Sequence, residues 1–124
     1  MSLKVHTLAA ELLAAICVLS TNEGHKLVLS ALSDFRVEYE ENFRFETLIS
    51  TLRLPEVDID AESDNESGFG NEEEGVWEAR TAAMALINAV TTFPESLEER
   101  IMLRDEFSRR GLNEIIVVRA TLAV

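Results

Sequence analysis

Lys4-Val5-His6-Thr7-Leu8-Ala9-Ala10-Glu11-Leu12-Leu13-Ala14-Ala15-Ile16-Cys17-Val18-Leu19-Ser20 is the stretch on which the fold turns. Val5, Leu8, Leu12, Ile16 and Leu19 recur at helical spacing, and Ala9, Leu13, Ala14 and Cys17 widen the apolar arc. Alanine and leucine also favour helix intrinsically. A helix apolar on nearly all sides must be covered from more than one direction. The period predicts Leu12, Ile16 and Leu19 facing inward, with Ala15 and Val18 toward other faces. Met1-Ser2-Leu3 reads as an expression start placed before a fragment that begins inside a helix.

Further helices follow in both composition and punctuation. Thr21 or Asn22 is placed to cap a second helix, with Gly24 close behind and Leu27, Val28, Ala31, Leu32 and Phe35 as its apolar face. Asn42 is placed to cap a shorter third helix carrying Phe45, Leu48, Ile49 and Leu52, which Pro55 closes. From Val76 a fourth helix presents Ala79, Ala83, Leu86, Ile87 and Val90, and Pro94 stops it. Ser96-Leu97-Glu98-Glu99 has capping-box spacing and opens a fifth, with Ile101, Phe107 and one of Met102 or Leu103 inward. Arg109-Arg110-Gly111-Leu112 is a strong stop signal: cations in the last turn, glycine at the left-handed position, then an apolar residue. A last short helix would carry Ile115 and Ile116, with Arg119 and Leu122 at its rims.

The formal charge of −12 comes from 23 acidic and 11 basic residues, but it is local. Glu56, Asp58, Asp60, Glu62, Asp64, Glu66, Glu72, Glu73 and Glu74 lie in a stretch without a single base, interleaved with Ser, Asn and Gly. Residues 56–75 read as a disordered acidic insertion, because little there could offset the entropy of ordering it. The remainder is close to neutral. It has no basic stripe, which argues against nucleic acid as a partner. No stretch reaches the 18 or more apolar residues of a membrane span, so direct membrane insertion is not expected. The expectation is one all-α domain over residues 4–124, built as helices stacked in a solenoid, with an ordinary helical bundle as the structural competitor.

Chemistry is sparse. His6 and His25 fall on different helices without acidic or thiol company at a metal-binding spacing, and Cys17 has the setting of a buried small hydrophobe. Nothing resembles a nucleophile elbow, a zinc pair or a phosphate loop, so neither a catalytic site nor a cofactor or metal is expected. Asn88, a polar amide inside Leu86-Ile87-Asn88-Ala89-Val90, is the anomaly; its plainer reading is an intrachain hydrogen bond to a partly buried amide.

Three stretches together resemble a known family. Glu11 to Leu19, then Gly24-His25 leading to Val28-Leu29 and on to Arg44-Phe45, is similar to the armadillo-repeat region of diaphanous-related formins, the third formin homology region. Leu86 to Val90, then Arg100 to Glu106 and Arg110 to Ile115, is similar to its later part. The resemblance implies an armadillo-like α-solenoid fragment that serves as a regulatory, protein-binding module of an actin-nucleating formin. It implies a groove that holds a C-terminal autoregulatory helix of the same protein, with a Rho-family GTPase recognised through an adjoining segment. Actin is then affected only indirectly, and the expected setting is cytoplasmic and cytoskeleton-associated. The family's groove positions fall on Ala15, Val18, Leu19 and Asn88. Relatives commonly carry glutamine where this chain has Ala85, so one polar groove contact is missing here. The preceding GTPase-binding segment and the later repeats are expected outside this chain. The competing reading is a repeat segment of another armadillo or HEAT-like scaffold, in which Ala15 and Asn88 serve packing alone.

Overall fold

A computed structural model describes residues 2–20, 23–53 and 66–116, with side chains in the last stretch from Gly75 onward. Five helices run in order: α1 (Leu3–Leu19), α2 (Gly24–Glu38), α3 (Glu46–Leu52), α4 (Glu66–Thr92) and α5 (Leu97–Arg109). Residues 112–116 are again helical, and no strand occurs among the described residues. The fold is all-α, an armadillo-like helical-repeat fragment. The expected caps at Thr21 or Asn22, the stop at Pro55 and the rim positions Arg119 and Leu122 lie outside the described residues.

Helix α4 is the centre of the packing. It contacts α1, α2, α3 and α5, and its most extensive contact is with α1. All five residues expected on its inner face, Ala79, Ala83, Leu86, Ile87 and Val90, are buried. It begins ten residues earlier than the composition predicts, at Glu66, so the second half of the 56–75 stretch is helix and not loop. Glu66 falls in the first turn of the helix, where the positive end of the macrodipole favours an acid.

Helix α1 corrects the period reading. Its buried residues are Thr7, Ala10 and Cys17, with Leu13, Ala14 and Ile16 partly buried. Leu12 and Leu19, expected inward, are 63% and 85% exposed. The fully buried stripe is made of small side chains, flanked by Leu13 and by Ile16, which the period places inward, while Leu8, Leu12 and Leu19 point away from it. The helix starts at Leu3, capped by Ser2, whose hydroxyl accepts from the Val5 amide at 3.2 Å.

The connections explain themselves locally. At the start of α2 the Gly24 amide donates to Ser20 O at 2.8 Å, while the Ser20 amide donates to Ile16 O at 3.1 Å. A Cβ at Gly24 would collide with that Ile16 carbonyl oxygen, so only glycine fits where α2 leaves α1. On α2, Val28 and Leu32 are buried, whereas Leu27 and Ala31 are exposed. Asn42 is not the acceptor cap of α3: its amide and side-chain nitrogen both donate to the Glu46 carboxylate, at 2.8 and 3.2 Å. The Thr47 amide is satisfied instead by Glu41 Oε2 at 2.7 Å.

Phe45 precedes α3 in a left-handed conformation, φ 75°, unusual for a bulky residue. It is held there by stacking on Phe107 of α5, with centroids 4.3 Å apart, and by the Arg44–Glu106 ion pair, whose shorter contact is 2.6 Å. On α5, Leu103 and Phe107 are buried, while Ile101 and Met102, candidates for the inner face, are exposed. Ser96 caps α5 as its spacing predicts, accepting from the Glu99 amide at 3.3 Å. Arg100 folds back onto Pro94 O and Glu95 O at 2.6 and 2.9 Å, tying the start of α5 to the end of α4. Gly111 takes the expected left-handed conformation, φ 90°.

Candidate protein-binding groove

Two tie points fix how α1 lies on α4. A Cβ on Gly75 would stand 3.9 Å from Leu3 Cδ2, and Leu86 lines the same apolar cleft as Ala10 and Leu13. Both helices therefore run in the same direction. Carrying the Leu3–Gly75 register twelve residues along each sets Ala15 level with Ile87 and Asn88.

All four groove positions suggested by the sequence are solvent-facing. Ala15, Val18 and Leu19 lie on the exposed arc of α1, and Asn88 lies on that of α4. Val18 stands on the same side of that arc as Leu3, the residue that meets α4, so it turns toward the furrow between the two helices. Leu12 and Val5 occupy the far edge. Ala15, between Val18 and Leu8, leaves a shallow point in an otherwise bulky surface. Ala15, Val18 and Leu19 are thus exposed on α1, and Asn88 is exposed on α4.

Asn88 is exposed and not partly buried, although the intrachain hydrogen bond of the plainer reading is present. Its Oδ1 accepts from the Thr92 hydroxyl one turn later, at 3.3 Å. The side-chain nitrogen makes no hydrogen bond among the described residues, so its two donors are available to a ligand. Ala85 shares the exposed side of α4, where a longer polar side chain would project toward the same ligand. Leu8, part of the periodic apolar arc, is 54% exposed, and Trp77, which periodicity passes over, is 67% exposed. The signal that finds them is the smallness of the α1 and α4 seam residues, which forces large apolar groups outward.

The furrow offers shape and apolar contact rather than reactive chemistry. Among the described residues no three His, Cys, Asp or Glu side chains gather as a metal site. Cys17 is fully buried, and burial pushes its thiol pKa up, away from nucleophilic thiolate. His25, also buried, sets Nε2 3.2 Å from Glu99 Oε2 and so joins the start of α2 to the first turn of α5. His6 is half-buried beside the apolar cleft. Both histidines are accounted for by packing. No helix is long and apolar enough to cross a membrane among the described residues.

Comparison with known proteins gives the family of the chain. The chain is 32% identical over 112 residues to Formin-F of Dictyostelium discoideum, covering 90% of this chain and 8% of that protein. It is 30% identical over 113 residues to Formin-like protein 2 of Homo sapiens, covering 91% and 9%. Disheveled-associated activator of morphogenesis 2 of Gallus gallus is 31% identical over 118 residues, covering 93% and 10%. The chain therefore spans a tenth or less of the length of these relatives. No solved structure matches it. The Diaphanous FH3 domain model matches residues 25–122, from the first turn of α2 past the left-handed Gly111, and on that match the chain belongs to the Diaphanous FH3 domain family.

Proposed function

We propose that this FH3 domain, a non-catalytic scaffold module, binds a C-terminal autoregulatory helix of its own full-length protein in the α1/α4 furrow. In this reading the bound helix holds a formin in its resting state. A Rho-family GTPase, recognised in cooperation with an adjoining segment, displaces it, and actin is affected only through that release. A cytoplasmic, cytoskeleton-associated setting follows from the same reading.

The observation that carries the proposal is the exposure of Val18 and Asn88 on either side of the small Ala15, none of which the core needs. A helix laid into such a furrow is read by apolar anchors at one-turn spacing. Ala15 admits its close approach, Val18 and Leu19 supply apolar contact, and the Asn88 amide fixes its register. A packing-only role is disfavoured because an exposed alanine and an exposed asparagine contribute little to stability.

The test is titration of the repeat region, with its native flanking repeats, against a peptide of the C-terminal tail. Ala15→Asp should abolish tail binding while helical content and melting temperature are retained. Unchanged affinity in that variant would exclude the furrow as the site.

A further inference from the structure

Tyr39 is the only tyrosine of the chain, and it closes α2 as its C-cap residue, 55% exposed. Its ring stacks on Phe35 one turn earlier, with centroids 4.4 Å apart, so the side chain leans back over the last turn of the helix. The hydroxyl makes no hydrogen bond among the described residues. The helix ends here: Glu40 takes a left-handed φ of 53°, and residues 40–45 run without helix up to α3. Acids stand on both sides, Glu38 before and Glu40 and Glu41 after. Glu38 and Glu40 are exposed, and their side chains bond nothing among the described residues, whereas Glu41 Oε2 holds the Thr47 amide at 2.7 Å. One turn back, Arg36 reaches across the connection to Asn42 O at 3.2 Å.

We propose that Tyr39 is a phosphorylation site, taken by a tyrosine kinase whose substrate groove is basic, and that the phosphate opens the connection between α2 and α3. In the transfer the γ-phosphoryl group of a nucleoside triphosphate passes to Tyr39 Oη. A phosphorus–oxygen bond forms to the phenol, the bond to the leaving nucleoside diphosphate breaks, and the phenolic proton goes to the kinase's base. Three features carry the site. An exposed phenol with no internal partner is reached without unfolding the core. A backbone that leaves the helix at the next residue can be drawn out along a kinase groove, which a residue inside a helix resists through its hydrogen bonds. Acids on both sides complement a basic groove and speed encounter with it. After transfer, a charge of about −1.5 to −2 stands among Glu38, Glu40 and Glu41, where like charge disfavours it. Relief comes from Arg36, on the turn over which the ring leans, because a guanidinium bonds phosphate more strongly than a neutral carbonyl. Arg36 then leaves Asn42 O, and repulsion loosens Glu41 from the Thr47 amide, so both contacts that span the connection are lost together. The groove positions on α1 and α4 take no part, and the inference stands apart from tail binding.

The experiment treats the repeat region, with its native flanks, with magnesium, adenosine triphosphate and the catalytic domain of an acid-directed tyrosine kinase, and locates the phosphate by peptide mass spectrometry. A free peptide of residues 33–47 is the reference substrate. Folded Tyr39 should react within about tenfold of the peptide, since only a local opening is needed. A slowdown of roughly a thousand-fold or more, the mark of a residue reached only through unfolding, would overturn the site. The double variant Glu38→Lys, Glu40→Lys should slow transfer about five-fold with an unchanged melting temperature, and an unchanged rate would overturn the role given to the acids. Tyr39→Phe keeps the ring stack and should neither take phosphate nor lose stability. A lowered melting temperature in that variant would give the hydroxyl a bond in the fold and remove the free phenol on which the site rests. Hydrogen exchange at the Asn42 and Thr47 amides should speed up about tenfold in the phosphorylated protein. Exchange at the rate of the unmodified protein would overturn the opening of the connection.

Discussion

Gly24→Ala sets two well-understood effects against each other. Gly24 is the first residue of α2, where replacing glycine by alanine in a helix ordinarily contributes about 1 kcal/mol of stability. The added Cβ, however, would run into the Ile16 carbonyl oxygen and stand 3.1 Å from both the Ile16 carbonyl carbon and Ser20 Cβ. Two of these three atoms are backbone, and the carbonyl is engaged by the Ser20 amide at 3.1 Å, so the end of α1 cannot yield without losing its closing hydrogen bond. Overpacking of this kind costs about 1–3 kcal/mol, and a rigid obstacle places it in the upper half of that range. The net expectation is a loss of about 1–2 kcal/mol, or roughly 4–10 °C in melting temperature for a chain of this size. Thermal and urea unfolding followed by circular dichroism would measure it. A variant melting at or above wild type would refute the close approach of α2 to α1, because propensity alone would then govern the site.

Other substitutions read separate features. Gly111→Ala should cost about 1–2 kcal/mol from its left-handed φ of 90°, and Gly111→Asn should cost less; equal losses would show that contact with Arg53 governs instead. Ser96→Ala should lower stability by about 1 kcal/mol through loss of the α5 cap, measured by urea unfolding. Cys17 should resist thiol reagents in the folded chain and react only on unfolding, since it is fully buried with a raised pKa. Because that pKa is raised relative to the unfolded chain, its contribution to stability is intact below the ordinary thiol pKa. It is lost as pH climbs through the higher folded value, so alkaline titration of Cys17→Ala should show a shallower decline than wild type.

What the sequence discloses depends on how many faces a helix must bury. Helix α4 from Ala79 to Val90 carries apolar residues on one broad face and polar ones opposite, so all five residues its period places inward are buried, and only the small Ala82 and Ala89 at the edges of that face are added. The stops and caps at Ser96 and Gly111 are equally legible, since a hydroxyl at the N-cap and a glycine at positive φ each answer a single local demand. Helix α1 is different. Apolar on most sides, it satisfies several choices of inner face, and the period favours the largest residues while the packing takes the smallest. The start of α4 is missed for another reason: its acids and few apolar residues carry no helical period, so only the backbone shows the helix there. Among the proposed groove positions, Ala15 and Val18 are legible as residues off the inner face. Leu19 is not, because its period places it inward. Asn88 is legible only as an anomaly, since an amide within an apolar run fits either a buried bond or a solvent face.

The seam of α1 and α4 connects the core to the groove. The buried positions of α1 are Thr7, Ala10 and Cys17, and those of α4 include Ala79, Ala82, Ala83 and Ala89. Helices that meet through small side chains approach closely, at the short end of the usual 8–10 Å interaxial range. Leu13 and Ile16 share the inner side of α1 with these small residues, and the rest of its apolar bulk lies outward. Val5, Leu8, Leu12, Val18 and Leu19, 48–85% exposed, are that outward bulk. Apolar surface on this scale is costly to leave in water and marks a site of interaction. Because these residues lie outside the core, changing them should alter binding without altering folding, whereas enlarging a seam alanine should do both. That separation distinguishes a recognition surface from unfinished packing, and it is the property that the Ala15→Asp titration measures.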